Sequence, residues 1–129
     1  MLMTITPFLN VRNARAAVDF YVAGFGATVS GLHDTEGERL TCQVEIGEAR
    51  FWVGDEEPEY SNLSPQSGGG NSIRMIIETE DADVLYERAI RAGAVEICPM
   101  TTEEEWRIGK LRDPFGRVWE IGHMLSEKQ

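Results

Sequence analysis

Apolar residues change their spacing several times along the chain, and each change marks an element. Residues 4–11 are β-prone, with Pro7 confining part of the run to a sheet edge or a strand start. The period then switches: Ala14, Ala17, Val18 and Tyr21 share one face of a helix, Asn13 offers an N-cap, and Gly24 and Gly26 supply a stop. Strands are predicted at 27–32, 39–46 and 50–53, separated by the polar turn 33–38 and by Gly47-Glu48. From 55 to 71 the composition turns acidic, then rich in Ser, Pro and Gly, which reads as a loop or linker. The triplet Gly68-Gly69-Gly70 lacks the Lys-Ser/Thr of a phosphate loop and has acidic neighbours.

After the linker the order recurs. A strand at 72–79 leads to Asp81, a candidate cap for a helix whose apolar stripe is Ala82, Leu85, Tyr86, Ala89 and Ile90, ended by Gly93. Strands follow at 95–100, 106–111 and 118–124, with 101–105 as an acidic turn or lid. Gly26-Ala27 aligns with Gly93-Ala94, Arg39 with Arg107, and Val53-Gly54 with Ile121-Gly122. The pattern predicts an α+β fold of tandem βαβββ modules in one domain over 1–129: module one at about 4–55, a linker at about 56–71, module two at about 72–125. Two curved sheets, each with a helix on its outside, can turn concave faces toward a shared ligand cup.

A chain of 129 residues supports one core. Its formal net charge of −10 opposes binding to nucleic acid, which needs clustered Lys and Arg. No run approaches the roughly 20 apolar residues that span a bilayer, and the start lacks a basic n-region, so a cytoplasmic protein without membrane contact is expected. Cys42 and Cys98 have no metal-type spacing and read as reduced thiols. His33 and His123 are isolated, and no nucleophile, base and orienting group can be assembled, so no catalytic residue is assigned.

The stretch Leu111 to Gly122 concentrates the remaining information. Asp113-Pro114-Phe115-Gly116 is a turn in which Pro114 presets φ, Asp113 accepts from the following backbone and Gly116 tolerates positive φ. Beyond it, Glu120 is a carboxylate among the core-forming Val118, Trp119 and Ile121. This stretch resembles the closing hairpin of the vicinal oxygen chelate superfamily, the glyoxalase, bleomycin-resistance and dioxygenase proteins, in which a glutamate four residues after the turn glycine faces the ligand cup. Nearly the whole chain takes part, and it is similar to the PhnB-like branch in Pro7-Phe8-Leu9, Asp19-Phe20-Tyr21, Glu57-Pro58-Glu59, Ser64-Pro65-Gln66-Ser67 and Asp81-Ala82-Asp83.

In metal-using members of that superfamily, the first and fourth strand of each module supply the ligands of a divalent ion. The resemblance carries those positions to Thr6, Trp52, Arg74 and Glu120, of which Glu120 alone is a good ligand. It therefore implies a metal-free protein without a cofactor that binds a small organic molecule, with sequestration as one role, Arg74 bridged to Glu120, Trp52 as an aromatic wall, and Trp106 and Arg107 near the mouth. Total charge suits a cationic guest and Arg74 an anionic one, so the guest is left open. The alternatives are a lyase, isomerase or dioxygenase using a divalent metal on Glu120, and a catalytically silent association module. The resemblance also implies a homodimer, with modules exchanged between chains as one arrangement.

Overall fold

The computed structural model describes residues 3–34 and 39–125. Module one comprises β1 (Phe8–Val11), α1 (Ala14–Phe25), β2 (Thr28–Asp34), β3 (Leu40–Ile46) and β4 (Ala49–Asp55). Module two comprises β5 (Met75–Glu78), α3 (Ala82–Arg91), β6 (Val95–Glu103), β7 (Trp106–Arg112) and β8 (Val118–Met124). A 3₁₀ turn (Pro58–Tyr60) and the short helix α2 (Pro65–Gly68) lie between them. Each module forms its own sheet, ordered β1-β4-β3-β2 and β5-β8-β7-β6, in which the first strand lies parallel to the last and the other pairs are antiparallel. This is the α+β architecture of two βαβββ units read from the sequence.

Local chemistry sets the boundaries. Asn13 Oδ1 accepts from the Ala16 amide, and Gly26 ends α1 with φ of 71°, donating to the Tyr21 and Val22 carbonyls. Asp81 stands at the N-cap position of α3, but its side chain makes no capping bond; its own amide donates to Thr79 Oγ1 instead. The expected strand 4–11 shrinks to β1, because Pro7 has no amide to contribute to a ladder, and the expected strand 72–79 begins only at Met75. The acidic turn predicted at 101–105 is shorter: β6 runs through Glu103 and Glu104 reverses the chain at φ of 55°. The turn predicted at 33–38 falls mainly outside the described residues, as does the tail after Leu125.

The linker is ordered. Ser64 Oγ caps α2 by accepting from the Ser67 amide, and the Glu56 carboxylate accepts from the Ser64 amide and the Ser67 hydroxyl. These bonds hold Glu56 below its usual carboxylate value, with the Ser64 amide the largest cause. A composition that looked like a free linker is in fact pinned by its own serines.

One core serves both modules. Helix α1 packs on α3, and Tyr21, Phe25, Phe51 and Trp119 form an aromatic cluster, mostly edge-to-face, with centroid separations of 5.0 to 5.8 Å among the Trp119 contacts and the Tyr21–Phe51 pair. At its centre lies Asp113, 2% exposed. Asp113 Oδ1 accepts from the Phe115 and Arg117 amides, while Oδ2 accepts from Tyr21 Oη at 2.7 Å and Trp119 Nε1 at 2.9 Å. Burial, followed by the adjacent Asp113 carboxylate, pushes the Tyr21 phenol well above its ordinary value. Arg88 of α3 adds a second tie, donating to the Ala23 and Val22 carbonyls at the end of α1.

Asp113→Ala should cost about 3 kcal/mol or more, because it orphans a buried phenol and a buried indole as well as two turn amides. Tyr21→Phe removes one bond and should cost about 1 to 2 kcal/mol. Urea unfolding reads both; equal losses, or no loss for Asp113→Ala, would contradict the carboxylate's role as the tie between modules.

Candidate functional site

Alternation along β8 separates two environments. Trp119 and Ile121 point to the shared core, so Glu120 and Gly122 belong to the opposite face of the second sheet. In register beside them stand Ile76 and Glu78 of β5, and Lys110 and Ile108 of β7. Gly122 matters for closeness: a Cβ there would come within 2.2 Å of the Arg107 carbonyl oxygen, so only glycine lets β8 lie this near β7. The face is hollowed into a cavity of about 730 Å³ lined by Arg74, Ile76, Glu78, Glu103, Glu104, Trp106, Ile108 and Glu120.

Arg74 lies before β5 and reaches back over Glu120. Its Nε donates to Oε2 at 2.8 Å and its Nη2 to Oε1 at 3.0 Å, a two-pronged charge-assisted contact. The pair is asymmetric: the Glu120 side chain is 6% exposed and that of Arg74 is 77% exposed. The guanidinium thus covers the buried carboxylate and keeps its outer edge toward the cavity. The Arg74 hydrogen bonds are the largest cause holding the Glu120 carboxyl below its ordinary value, against burial, with the Arg74 and Lys110 charges adding to the same direction. Glu120 raises Arg74 in turn.

The five residues singled out from the sequence divide. Arg74, Trp106 and Glu120 come together in this cavity. Thr6 and Trp52 do not: Thr6 is exposed ahead of β1, and Trp52 is half-buried on β4, its ring beside Gly31 on the corresponding face of the first sheet. Among the described residues, all the lining of the Arg74 cavity comes from module two. The two modules of one chain do share a cavity, about 660 Å³ and lined by Phe25, Ile46, Phe51, Met75, Ile77 and Trp119 among others, but Thr6, Trp52, Arg74, Trp106 and Glu120 are not in its lining. Arg107 turns away from the cavity to form a two-pronged pair with Asp83 of α3. Ladder register also replaces one correspondence: Thr41 opposes Gly54 as Ile108 opposes Gly122, so Arg39 is equivalent to Trp106 rather than to Arg107.

The donors present do not suit a divalent ion. Both Glu120 oxygens are engaged by a permanently charged guanidinium, and neither an indole nor a guanidinium can act as a ligand. Among the described residues no three His, Cys, Asp or Glu side chains cluster in a metal-holding group. His123 places Nδ1 3.2 Å from the Met124 carbonyl, away from Glu120; the side chain of His33 lies outside the described residues.

Sequence reasoning missed Glu78, Ile76 and Ile108. The signal was available: on strands parallel or antiparallel to β8, residues level with Glu120 and Gly122 must share their face.

A carboxyl held low in the folded state contributes stability that is present above its unfolded value and is lost as pH falls through its folded value. Arg74→Ala removes the largest lowering cause and leaves burial in place, so the Glu120 carboxyl should titrate at higher pH and acid unfolding should begin at higher pH. Carbon-detected NMR titration of the Glu120 carboxyl tests this; an unchanged midpoint would show that the guanidinium does not govern it.

Comparison with known proteins agrees with this architecture. The model of the Glyoxalase/Bleomycin resistance protein/Dioxygenase superfamily matches residues 3–121. An uncharacterised protein of Mycobacterium bovis is 29% identical over 129 residues, covering 95% of this chain and 84% of its own length. An uncharacterised Arabidopsis thaliana protein is 30% identical over 113 residues, covering 80% of this chain and 67% of its own. The crystal structure of TioX from Micromonospora sp. ML1 superposes with a TM-score of 0.76 at 21% identity, over 95% of this chain and 99% of that one, a likeness of fold. With the family model spanning both modules, the chain belongs to the Glyoxalase/Bleomycin resistance protein/Dioxygenase superfamily.

Proposed function

We propose that this chain is a metal-free member of its superfamily that binds a small organic molecule on the hollow face of module two, holding rather than transforming it. The observation that carries this reading is the Arg74–Glu120 contact: a guanidinium engages, in two-pronged geometry, the carboxylate that a metal-using relative would offer to an ion. Beside it, the indole of Trp106 and the aliphatic Ile76 and Ile108 offer apolar contact within a volume suited to a small molecule. A catalytic role would require a group that moves a proton or attacks a bond. The reading assigns Arg74 and Glu120 to positioning and charge neutralisation instead.

The finer assignments belong to the same reading. The stretches quoted from the sequence favour the PhnB-like branch, and the protein is taken to be cytoplasmic. A homodimer, with or without exchanged modules, is favoured by two of the four edge strands, β1 and β5, around which Met3, Ile5, Phe8, Ile73 and Ile76 are exposed. A second copy facing the cavity with its module one would bring Thr6 and Trp52 toward Arg74, reuniting the divided site without adding a metal ligand.

Three measurements test this. Protein purified without chelator should carry no stoichiometric divalent metal; Zn, Fe, Mn or Ni bound at one equivalent and lost in Glu120→Gln would overturn the reading. Light scattering at micromolar concentration should give a dimer, and a monomer would remove Trp52 and Thr6 from the site. In a thermal-shift screen, compounds that raise the melting temperature of the wild type by a few degrees should fail to do so in Trp106→Ala.

A further inference from the structure

We propose that the cavity of module two selects flat organic cations, with Trp106 as the stacking platform and Glu78, Glu103 and Glu104 as the charge that discriminates. The proposal rests on the reading that this cavity binds a small molecule. Total charge and Arg74 pull in opposite directions when read from sequence, and the structure resolves the conflict by showing where each charge is used.

Strand register sets the cavity's charges along an axis. Arg74 and Glu120 lie at one end, level with Ile76, with Lys110 outside the lining but beside Glu120 in the ladder. Two positions along β8, Glu78 is level with Gly122 and Ile108, and beyond them Trp106 opens the hairpin whose other arm ends in Glu103 and Glu104. At the first end the positive charge is already committed. Arg74 directs Nε and Nη2 at Glu120, and the Lys110 charge also acts on that carboxylate. An anionic guest would have to recruit a guanidinium whose charge is largely neutralised, and it would approach across three carboxylates.

At the second end the negative charge has no ion-pair partner among the described residues: Glu78, Glu103 and Glu104 make no ion pair with a cation. They line the same cavity as the indole of Trp106, and the face of an indole attracts a cation through its quadrupole. Ile108 and Ile76 complete an apolar floor that favours a flat hydrocarbon body. A delocalised cation meets all three demands: apolar area for the floor, a π-face for Trp106, and positive charge for the rim. A compact, strongly hydrated ammonium meets only the last.

Module one carries a different side chain at the equivalent position of its first strand. There the ring of Phe8 lies across Gly54, where an added Cβ would come within 2.8 Å of it. In module two the residue equivalent to Phe8 is the smaller Ile76, which lines the cavity.

The test is calorimetric titration of three tricyclic probes of nearly equal shape: N-methylacridinium, neutral acridine and acridine-9-carboxylate. The cation should bind at least about tenfold more tightly than the carboxylate, and its affinity should fall as salt rises. The double variant Glu103→Gln/Glu104→Gln, checked for an unchanged melting temperature, should weaken the cation about five- to tenfold and leave neutral acridine unaffected. Trp106→Leu should weaken cation and neutral probe alike. Acridine-9-carboxylate binding as tightly as the cation, or a cation affinity insensitive to the double variant, would overturn the proposal while leaving the cavity a binding site. Failure of all three probes at about millimolar concentration would overturn both this proposal and the binding function on which it rests.

Discussion

A single buried carboxylate organises the chain. Asp113 accepts four hydrogen bonds, two from the turn that it opens and two from aromatic side chains, one of which belongs to the helix of the other module. A carboxyl group out of water is tolerable only when its hydrogen-bonding capacity is met, and here the donors are fixed by the turn and by ring packing. The Tyr21 and Trp119 rings it orients are the same rings that seal α1 against β8. Turn formation and module docking are therefore one event, because the residue that closes the β7–β8 hairpin also fastens the first helix.

That docking determines what the rest of the surface can do. With helices and aromatic rings joined on the inner side, the opposite faces of the two sheets stay free, and Glu120 is on one of them because Trp119 and Ile121 are committed to the core. The carboxylate is buried there by a side chain from its own module. Arg74 is the exposed partner, so it shields Glu120 from water while remaining accessible itself. A site of this kind is polar at its root, apolar along its floor and acidic at its rim.

Much of this was legible in the sequence. Asn13 and Gly26 bracket α1 as their chemistry demands, the Asp-Pro-Phe-Gly turn lies where its residue types put it, and the repeat paired Arg74 with Glu120 before any coordinates did. What failed was knowledge carried by distant contacts. Asp81 has the composition of a cap, but its carboxylate makes no capping bond. Residues 55–71 have the composition of a tether, yet Glu56, Ser64 and Ser67 tie them down. Trp52 and Glu120 are equivalent in the repeat and were read as neighbours in space, whereas equivalence sets only the face on which each lies. Which faces meet depends on the packing of Tyr21, Phe25, Phe51 and Trp119, and no period in the sequence encodes that choice.

The cap supplied by Arg88 has a consequence for how the chain can be divided. The last carbonyls of α1 are met by an arginine from the other half of the sequence. A fragment ending in the linker would expose that helix end together with half of an aromatic cluster, so the duplication visible in the sequence does not yield two self-sufficient pieces. Each half of the repeat thus supplies groups that the other half's helix end and aromatic rings require.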